Sequence, residues 1–238
     1  MYVKKFMNLF KGFESAHGQY RVNKKEADGK MSGRAVTVSD PATEINFKEH
    51  LDGGEYILGV IPLLNNNSCH FGVIDIDIRG EVKLNESLES LEKKIRNTPL
   101  VLCRSKSGGA HLYLFCDPAI PAIDMVSKLN EFAAQLGYGG SEVFPKQISR
   151  ANERDRGNWI NLCYWDGDKT ERYAISKGKK LKLKEFIELA EKKTTTFEAL
   201  EKIKPELVDH FSDGPPCLQH IMTMGFPEGG RNISLFNV

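Results

Sequence analysis

Asp75 and Asp77 stand two residues apart in Val-Ile-Asp-Ile-Asp-Ile, with Ile74, Ile76 and Ile78 interleaved. Successive side chains on a strand alternate faces, so this spacing sends the isoleucines to a core and both carboxylates to the other side. Two like charges are thereby forced close, which is costly without a cation. With Mg²⁺ or Mn²⁺ the same pair supplies the hard oxygen ligands such ions prefer. Taken alone, the pair also suits an exposed antiparallel strand with its polar residues outward.

The turn Arg-Ser-Lys-Ser-Gly-Gly-Ala-His, residues 104–111, carries the second half of the chemistry. Gly108 and Gly109 permit close backbone approach and amide groups aimed at an anion. Arg104 and Lys106 add positive charge, Ser105 and Ser107 hydroxyl donors, and His111 a ring donor for a phosphate oxygen. A solvated turn would explain the same residues; beside the aspartates, phosphate binding is the better reading. Downstream, Glu142 adds a carboxylate and Lys146 a point charge that could reach a triphosphate. Asn158 and Asn161 bracket Trp159, which suits contact with a sugar or base and equally a strand with one buried indole.

These groups need elements to hold them. Tyr56 to Leu64 is a short apolar run interrupted by Pro62, and 71–78 alternates strictly, so both read as strands. Leu84, Leu88, Leu91 and Ile95 recur at helical spacing. Two apolar runs, 100–103 and 111–116, joined by Ser107-Gly108-Gly109, read as a hairpin. Val126, Leu129, Phe132, Ala133 and Leu136 mark a second helix, with Asp124 as its N-cap and Gly137 as its stop. A strand follows at 142–144. The order strand, helix, strand, strand, helix, strand is the split βαβ arrangement. Its usual spatial order is fourth, first, third, second, which makes the aspartate strand central and gathers Asp75, Asp77, His111 and Glu142 at one edge of the sheet.

The fold class expected is therefore α+β, an RRM-like (βαββαβ) catalytic core. It has an N-terminal α/β lead-in over the turn-rich first 55 residues and a small C-terminal helical segment. Residues 158–165 and 172–175 are expected to extend the sheet, and helices at 183–193 and 197–203 to close it. The boundary expected is 1–193 for the catalytic domain and 194–238 for a helical linker and a truncated further domain, since the pattern after Ser-Asp-Gly-Pro-Pro at 212–216 ends midway.

A chain of 238 residues, 40% hydrophobic and 27% charged, is long enough for a sizeable core and excludes a disordered tail or peptide hormone. Its formal charge is +1, so a polyanionic partner must meet a local basic surface. One candidate is 169–204, with eleven Lys and Arg against six Asp and Glu; interleaved glutamates equally suit a solvated helix face. Five dispersed cysteines without metal-ligand spacing argue against structural zinc and a disulfide framework. No run approaches a membrane span, and the expectation is a cytoplasmic protein in a reducing compartment.

At these residues the chain resembles the archaeo-eukaryotic primase superfamily, the primase-polymerases of plasmids, phages and mobile conflict systems, over roughly residues 10–173. Three motifs stand in order: Asp75 and Asp77 in Val-Ile-Asp-Ile-Asp, an SxH-type hairpin with Lys106, Ser107 and His111, and Glu142 in Ser-Glu-Val-Phe-Pro-Lys-Gln. The strand Gly-Asn-Trp-Ile-Asn-Leu, with Asn158, is similar to the one that follows in the phage-type branch. Glu142 stands where many relatives have Asp, and Gly109 lies two residues before His111 where the motif has serine. The tail with Pro-Glu-Gly-Gly-Arg-Asn resembles the opening of a primase C-terminal (PriCT) domain.

The resemblance implies template-directed nucleotidyl transfer on single-stranded DNA, a DNA primase with polymerase activity. Two divalent ions, Mg²⁺ or Mn²⁺, would be held by Asp75, Asp77 and Glu142 as catalytic and metal ligands. Nucleotide binding falls to Arg104, Lys106, Ser107, Gly109, His111, Lys146 and Asn158. The partners implied are a single-stranded DNA template, NTP or dNTP, and a helicase in the same longer chain or in trans, in a phage or mobile element of a bacterial host. Two other readings remain: an RRM-like module that binds nucleic acid without catalysis, and a metal-dependent nuclease, which gives less reason for a triphosphate-sized basic turn.

Overall fold

The computed structural model describes residues 2–25, 31–77, 84–105, 108–152 and 155–203. Ile78, Lys106, Ser107 and the expected C-terminal segment 204–238 lie outside the described residues. In chain order the elements are α1 (Tyr2–Leu9), β1 (His17–Lys25), β2 (Met31–Val38), α2 (Glu44–Leu51), β3 (Tyr56–Val60), β4 (Ser68–Ile76), α3 (Leu84–Lys94) and β5 (Val101–Arg104). There follow β6 (Ala110–Pro121), α4 (Ala122–Gln135), β7 (Glu142–Phe144), β8 (Ile160–Asn161), β9 (Ile175–Ser176), β10 (Lys179–Lys180), α5 (Leu183–Lys193) and α6 (Phe197–Lys202).

From β4 to β7 the chain forms the βαββαβ unit, as an antiparallel sheet in the order β5-β6-β4-β7. The fold is thus the α+β, RRM-like core expected from the spacing of apolar residues. One face carries Ile74, Ile76, Leu102, Leu112 and Leu114, buried beneath Leu88, Leu91 and Ile95 of the α3 region and Met125, Leu129 and Phe132 of α4. The helix α4 begins at Ala122 after Pro121, two residues before Asp124; proline's fixed φ suits the transition from β6 into a helix. Gly137 ends that helical region at φ +83°, where a Cβ would be strained.

The lead-in is more regular than its turn-rich composition suggests. β1, β2 and β3 form a second antiparallel sheet, in the order β2-β1-β3-β8. Its last strand comes from the 158–165 segment, so those residues join this sheet instead of extending the first. Ile160 and Asn161 pair with Val60 and Gly59, and the Leu162 amide donates to the Leu58 carbonyl at 2.9 Å. The run at 172–175 does meet the first sheet, through a single bridge from Ala174 to Cys103, before turning into the β9–β10 hairpin.

Between the sheets lies a second apolar cluster built on aromatic rings. Phe10, just past α1, sits at its centre, with ring centroids 5.3 Å from Phe71, 5.4 Å from Tyr113 and 5.5 Å from Phe115, each edge-on. Phe6 and Phe186 complete the cover. The βαββαβ sheet is therefore buried on both faces. Through residue 203 the chain stays packed on this body: Leu200 is wholly buried, and Thr195 hydrogen-bonds across Phe115 and Asp117.

His50, also buried, ties α2 to the second sheet. One ring nitrogen, Nδ1, accepts from the Leu58 amide at 3.1 Å, so Nε2–H donates to the Cys163 carbonyl at 2.7 Å. Burial holds this ring well below its ordinary range, at about 4. An unfolded histidine takes a proton near pH 6.5, so between pH 6.5 and 4 the unfolded state binds the extra proton. Stability from this group is fully present above pH 6.5 and falls by about 3 kcal/mol as pH drops through that window. Denaturant melts of the wild type and His50→Gln should show this slope in the wild type only.

Candidate active site

The register of the βαββαβ sheet places three of the expected residues in one row. Asp75 on the central strand β4 lies directly opposite His111 of β6 on one side and Glu142 of β7 on the other, with Cys103 of β5 beyond His111. Residues opposite one another on neighbouring strands share a face, with Cβ atoms about 5 Å apart. The row lies one pleat beyond Val73, Tyr113 and Phe144 of the aromatic cluster, where the cover gives way: Asp75 and His111 are half-buried, while Asp77 and Glu142 are exposed.

His111 is held from two directions. Its Nε2 lies 3.3 Å from Asp75 Oδ1 and its Nδ1 3.2 Å from the Tyr113 hydroxyl. Tyr113 is fully buried. Burial, followed by the Cys163 and Cys103 thiols, pushes its phenol far above the ordinary value, against the pull of Arg172. The phenol therefore keeps its proton and can donate to Nδ1, leaving Nε2–H for the carboxylate. Arg172 is itself lowered to about 10 by burial, which the Tyr113 phenol, the Cys163 thiol and the Tyr20 phenol oppose. Tyr113 and Arg172 were not among the residues expected from the sequence. The signal for Tyr113 was present, since a residue two past His111 on a strand must share its face.

Glu142 is paired with Lys146, whose Nζ donates to Oε1 at 2.5 Å. As the side chains lie, no three His, Cys, Asp or Glu among the described residues form a group that could hold a metal ion. The backbone nevertheless suits one: hard carboxylate oxygens come from two adjacent strands in register. Cation binding there requires the Asp75 and Glu142 carboxylates to turn from His111 and Lys146.

The other expected residues are dispersed. Arg104 is paired with Ala110 in the row that holds Ile76, so its side chain leaves the face opposite Asp75. There it donates to the Glu171 carbonyl at 2.8 Å. Gly109 has a structural reason to be glycine: a Cβ there would fall 2.2 Å from the Ile76 carbonyl oxygen. The hairpin is closed by the Ser105 amide donating to the Gly109 carbonyl at 2.8 Å, and Gly108 adopts φ +89°. Asn158 is exposed on the approach to β8. Beside it the Trp159 indole covers Gly18 and Gly59, where any Cβ would strike the ring, and donates to Thr37 at 3.1 Å.

The aromatic residues that an RRM-like module would use for stacking bases, Phe71, Tyr113 and Phe115, are at most 1% exposed. The sheet face is closed to nucleobases, and what it offers a ligand is the polar row at its end.

The fold is an α+β one, a βαββαβ sheet covered on both faces, and the sequence match gives its family. Residues 2–174 match the family described as TOTE conflict system, Archaeo-Eukaryotic Primase domain; the chain belongs to this family. Among solved structures, the chain is similar to the archaeo-eukaryotic primase domain of the cyanophage S-2L primase-polymerase, with 12% identity and a TM-score of 0.39 over 79% of this chain and 96% of that one. It is also similar to the RepB′ primase, with 13% identity and a TM-score of 0.34 over 80% of this chain and 61% of that one. The RepB′ catalytic domain in complex with initiator DNA matches at 14% identity and a TM-score of 0.32, over 80% and 92%. No curated protein matches the chain. No helix among the described residues is long and apolar enough to cross a membrane.

Gly109→Ala should destabilise the protein by about 1–3 kcal/mol, because the new methyl group meets the β4 backbone and the hairpin must move with His111. A denaturant midpoint equal to wild type would show that the hairpin has room to spare.

Proposed function

We propose that this chain is a DNA primase-polymerase, transferring nucleotides onto a growing strand under the direction of a single-stranded DNA template. The observation that carries the reading is the row Asp75, His111 and Glu142 on three adjacent strands, in a chain of the archaeo-eukaryotic primase family. Membership supports primase-type chemistry; the row supplies residues for it. A partner helicase, in the same longer chain or in trans, would open duplex DNA for it.

In this reading Asp75, Asp77 and Glu142 hold two Mg²⁺ or Mn²⁺ ions. Such ions lower the pKa of an attacking 3′-hydroxyl and neutralise charge on the triphosphate and departing pyrophosphate. Lys106, Ser107 and His111, with Lys146 after β7, bind the triphosphate. Lys146 is already neutralising an anion at this place, the Glu142 carboxylate. When a triphosphate arrives the ammonium passes to its oxygens, and Glu142 becomes available as a ligand. Tyr113 holds the His111 ring so that Nε2–H faces the phosphate instead of rotating away. No protein nucleophile is needed, and the Cys103 thiol in the same row is unsuited to be one, since burial pushes its pKa well up.

The test is incubation of the protein with a single-stranded template, labelled nucleotides and Mn²⁺ or Mg²⁺, with no primer added. Products of defined length support priming; degradation of the template would instead mark a nuclease, and neither outcome a binding module. Asp75→Ala and Asp77→Ala should each reduce incorporation to background while circular dichroism and template binding remain near wild type. Synthesis retained by either variant overturns the metal assignment. His111→Ala should weaken nucleotide binding about tenfold or more, the scale of a hydrogen bond to a charged group, with a smaller change in Mn²⁺ affinity. Paired nucleotide and metal titrations giving the reverse order would make His111 a metal ligand.

A further inference from the structure

The basic stretch at 169–204 is left unexplained by the chemistry at Asp75. Part of it converges with a helix from elsewhere in the chain to line a cleft of about 780 Å³ on the outer edge of the βαββαβ sheet, two strands away from Asp75. Lys93 and Arg96 come from α3 and the residues after it, Lys177 from the β9–β10 turn, and Lys192 and Lys193 from the end of α5. Two acidic residues, Glu89 and Glu92, share the lining. Glu92 is already committed: it is buried, accepts the Lys177 amide at 3.1 Å and pairs with Arg96 at 3.4 Å.

Glu92 also accounts for the cleft's shape. Lys177 and Gly178 form a two-residue hairpin turn with φ of 53° and 69°, a conformation in which Asn-Gly is favoured and lysine is strained. The bond from its amide to Glu92 anchors this turn to α3, so Lys177 is held at the mouth of the cleft. Lys193 is fixed by the Thr98 and Leu100 carbonyls at 3.0 and 2.7 Å. Lys93, Arg96, Lys177 and Lys192 remain as the exposed rim. Helix dipoles favour lysines in the last turns of α3 and α5, but Arg96 and Lys177 lie outside both helices.

We propose that this cleft binds the phosphate backbone of a single-stranded nucleic acid, as an anchoring site separate from the Asp75 row. Its cations come from three separate segments and face one space, which matches a chain of repeated phosphates better than a single anion. The partly exposed apolar residues of the lining are Ile175 and Leu189, and it has no aromatic side chain, so it offers sugars a small apolar surface and bases nothing to stack on. Binding is therefore indifferent to base sequence and sensitive to salt. The choice of nucleic acid over another polyanion rests on the primase reading, while the binding itself does not require catalysis.

The experiment is fluorescence anisotropy of labelled single-stranded oligonucleotides, oligo-dT and a mixed sequence, titrated with the full 238-residue chain at several salt concentrations. Each phosphate contact contributes about 0.7 to the salt slope on single strands. Lys177→Gln combined with Lys192→Gln should lower the slope by about 1.4 and weaken binding roughly 25-fold at ~0.1 M salt. The same loss should appear in an Asp75→Ala background, so that a failed catalytic assignment leaves this result standing. The charge-matched control Lys4→Gln with Lys11→Gln, both exposed, should change neither quantity. Unchanged affinity and slope in the Lys177/Lys192 variant, or an equal loss in the control, overturns the proposal.

Discussion

Everything at the candidate site depends on the pairing of β4 with strands on both sides. Ladder hydrogen bonds from β6 and β7 fix Asp75 between His111 and Glu142, and a slip of one residue would send every one of these side chains to the opposite face. Burial prevents that slip. Ile74 and Ile76 are locked beneath α3 and α4, while Phe71 and Val73 are locked against Phe10 and its neighbours. An isolated polar row could not hold its register; a strand buried on both faces has only one.

This arrangement also explains why polar groups appear where they do. Both faces of the sheet are occupied along most of its length, so function is restricted to the ends of strands. Asp75 and Asp77 come at the end of β4, His111 near the start of β6 and Glu142 at the start of β7. With such topology, antiparallel neighbours deliver residues distant in sequence to one place. The close packing of Gly109 on Ile76 keeps the hairpin beside that place, and Tyr113 carries the order of the aromatic core outward to the His111 ring.

Much of this was legible in the residues. Alternation around Asp75 and helical spacing from Leu88 to Ile95 and Leu129 to Leu136 gave the βαββαβ order, and the order gave the neighbours of Asp75. What escaped was set by tertiary context. Residues 158–165 alternate as a strand should, but alternation does not say which sheet receives them; Val60 and Gly59 decide that. The lead-in was obscured by its many turn residues, although the strands between them are regular. Arg104 has the right charge for a phosphate, yet strand parity directs it to the other face. The pairing of Glu142 with Lys146 depends on side-chain proximity that charge and spacing alone leave open.

The bridge between Cys103 and Ala174 bears on where this domain can be cut. β5 is an outermost strand, and the Arg104 amide would face water if the Tyr173 carbonyl did not accept it at 2.9 Å. The family match ends at residue 174, at the segment that seals this border. A fragment stopped a few residues sooner would bare an unprotected strand, the kind of surface through which copies of a protein recruit one another into aggregates.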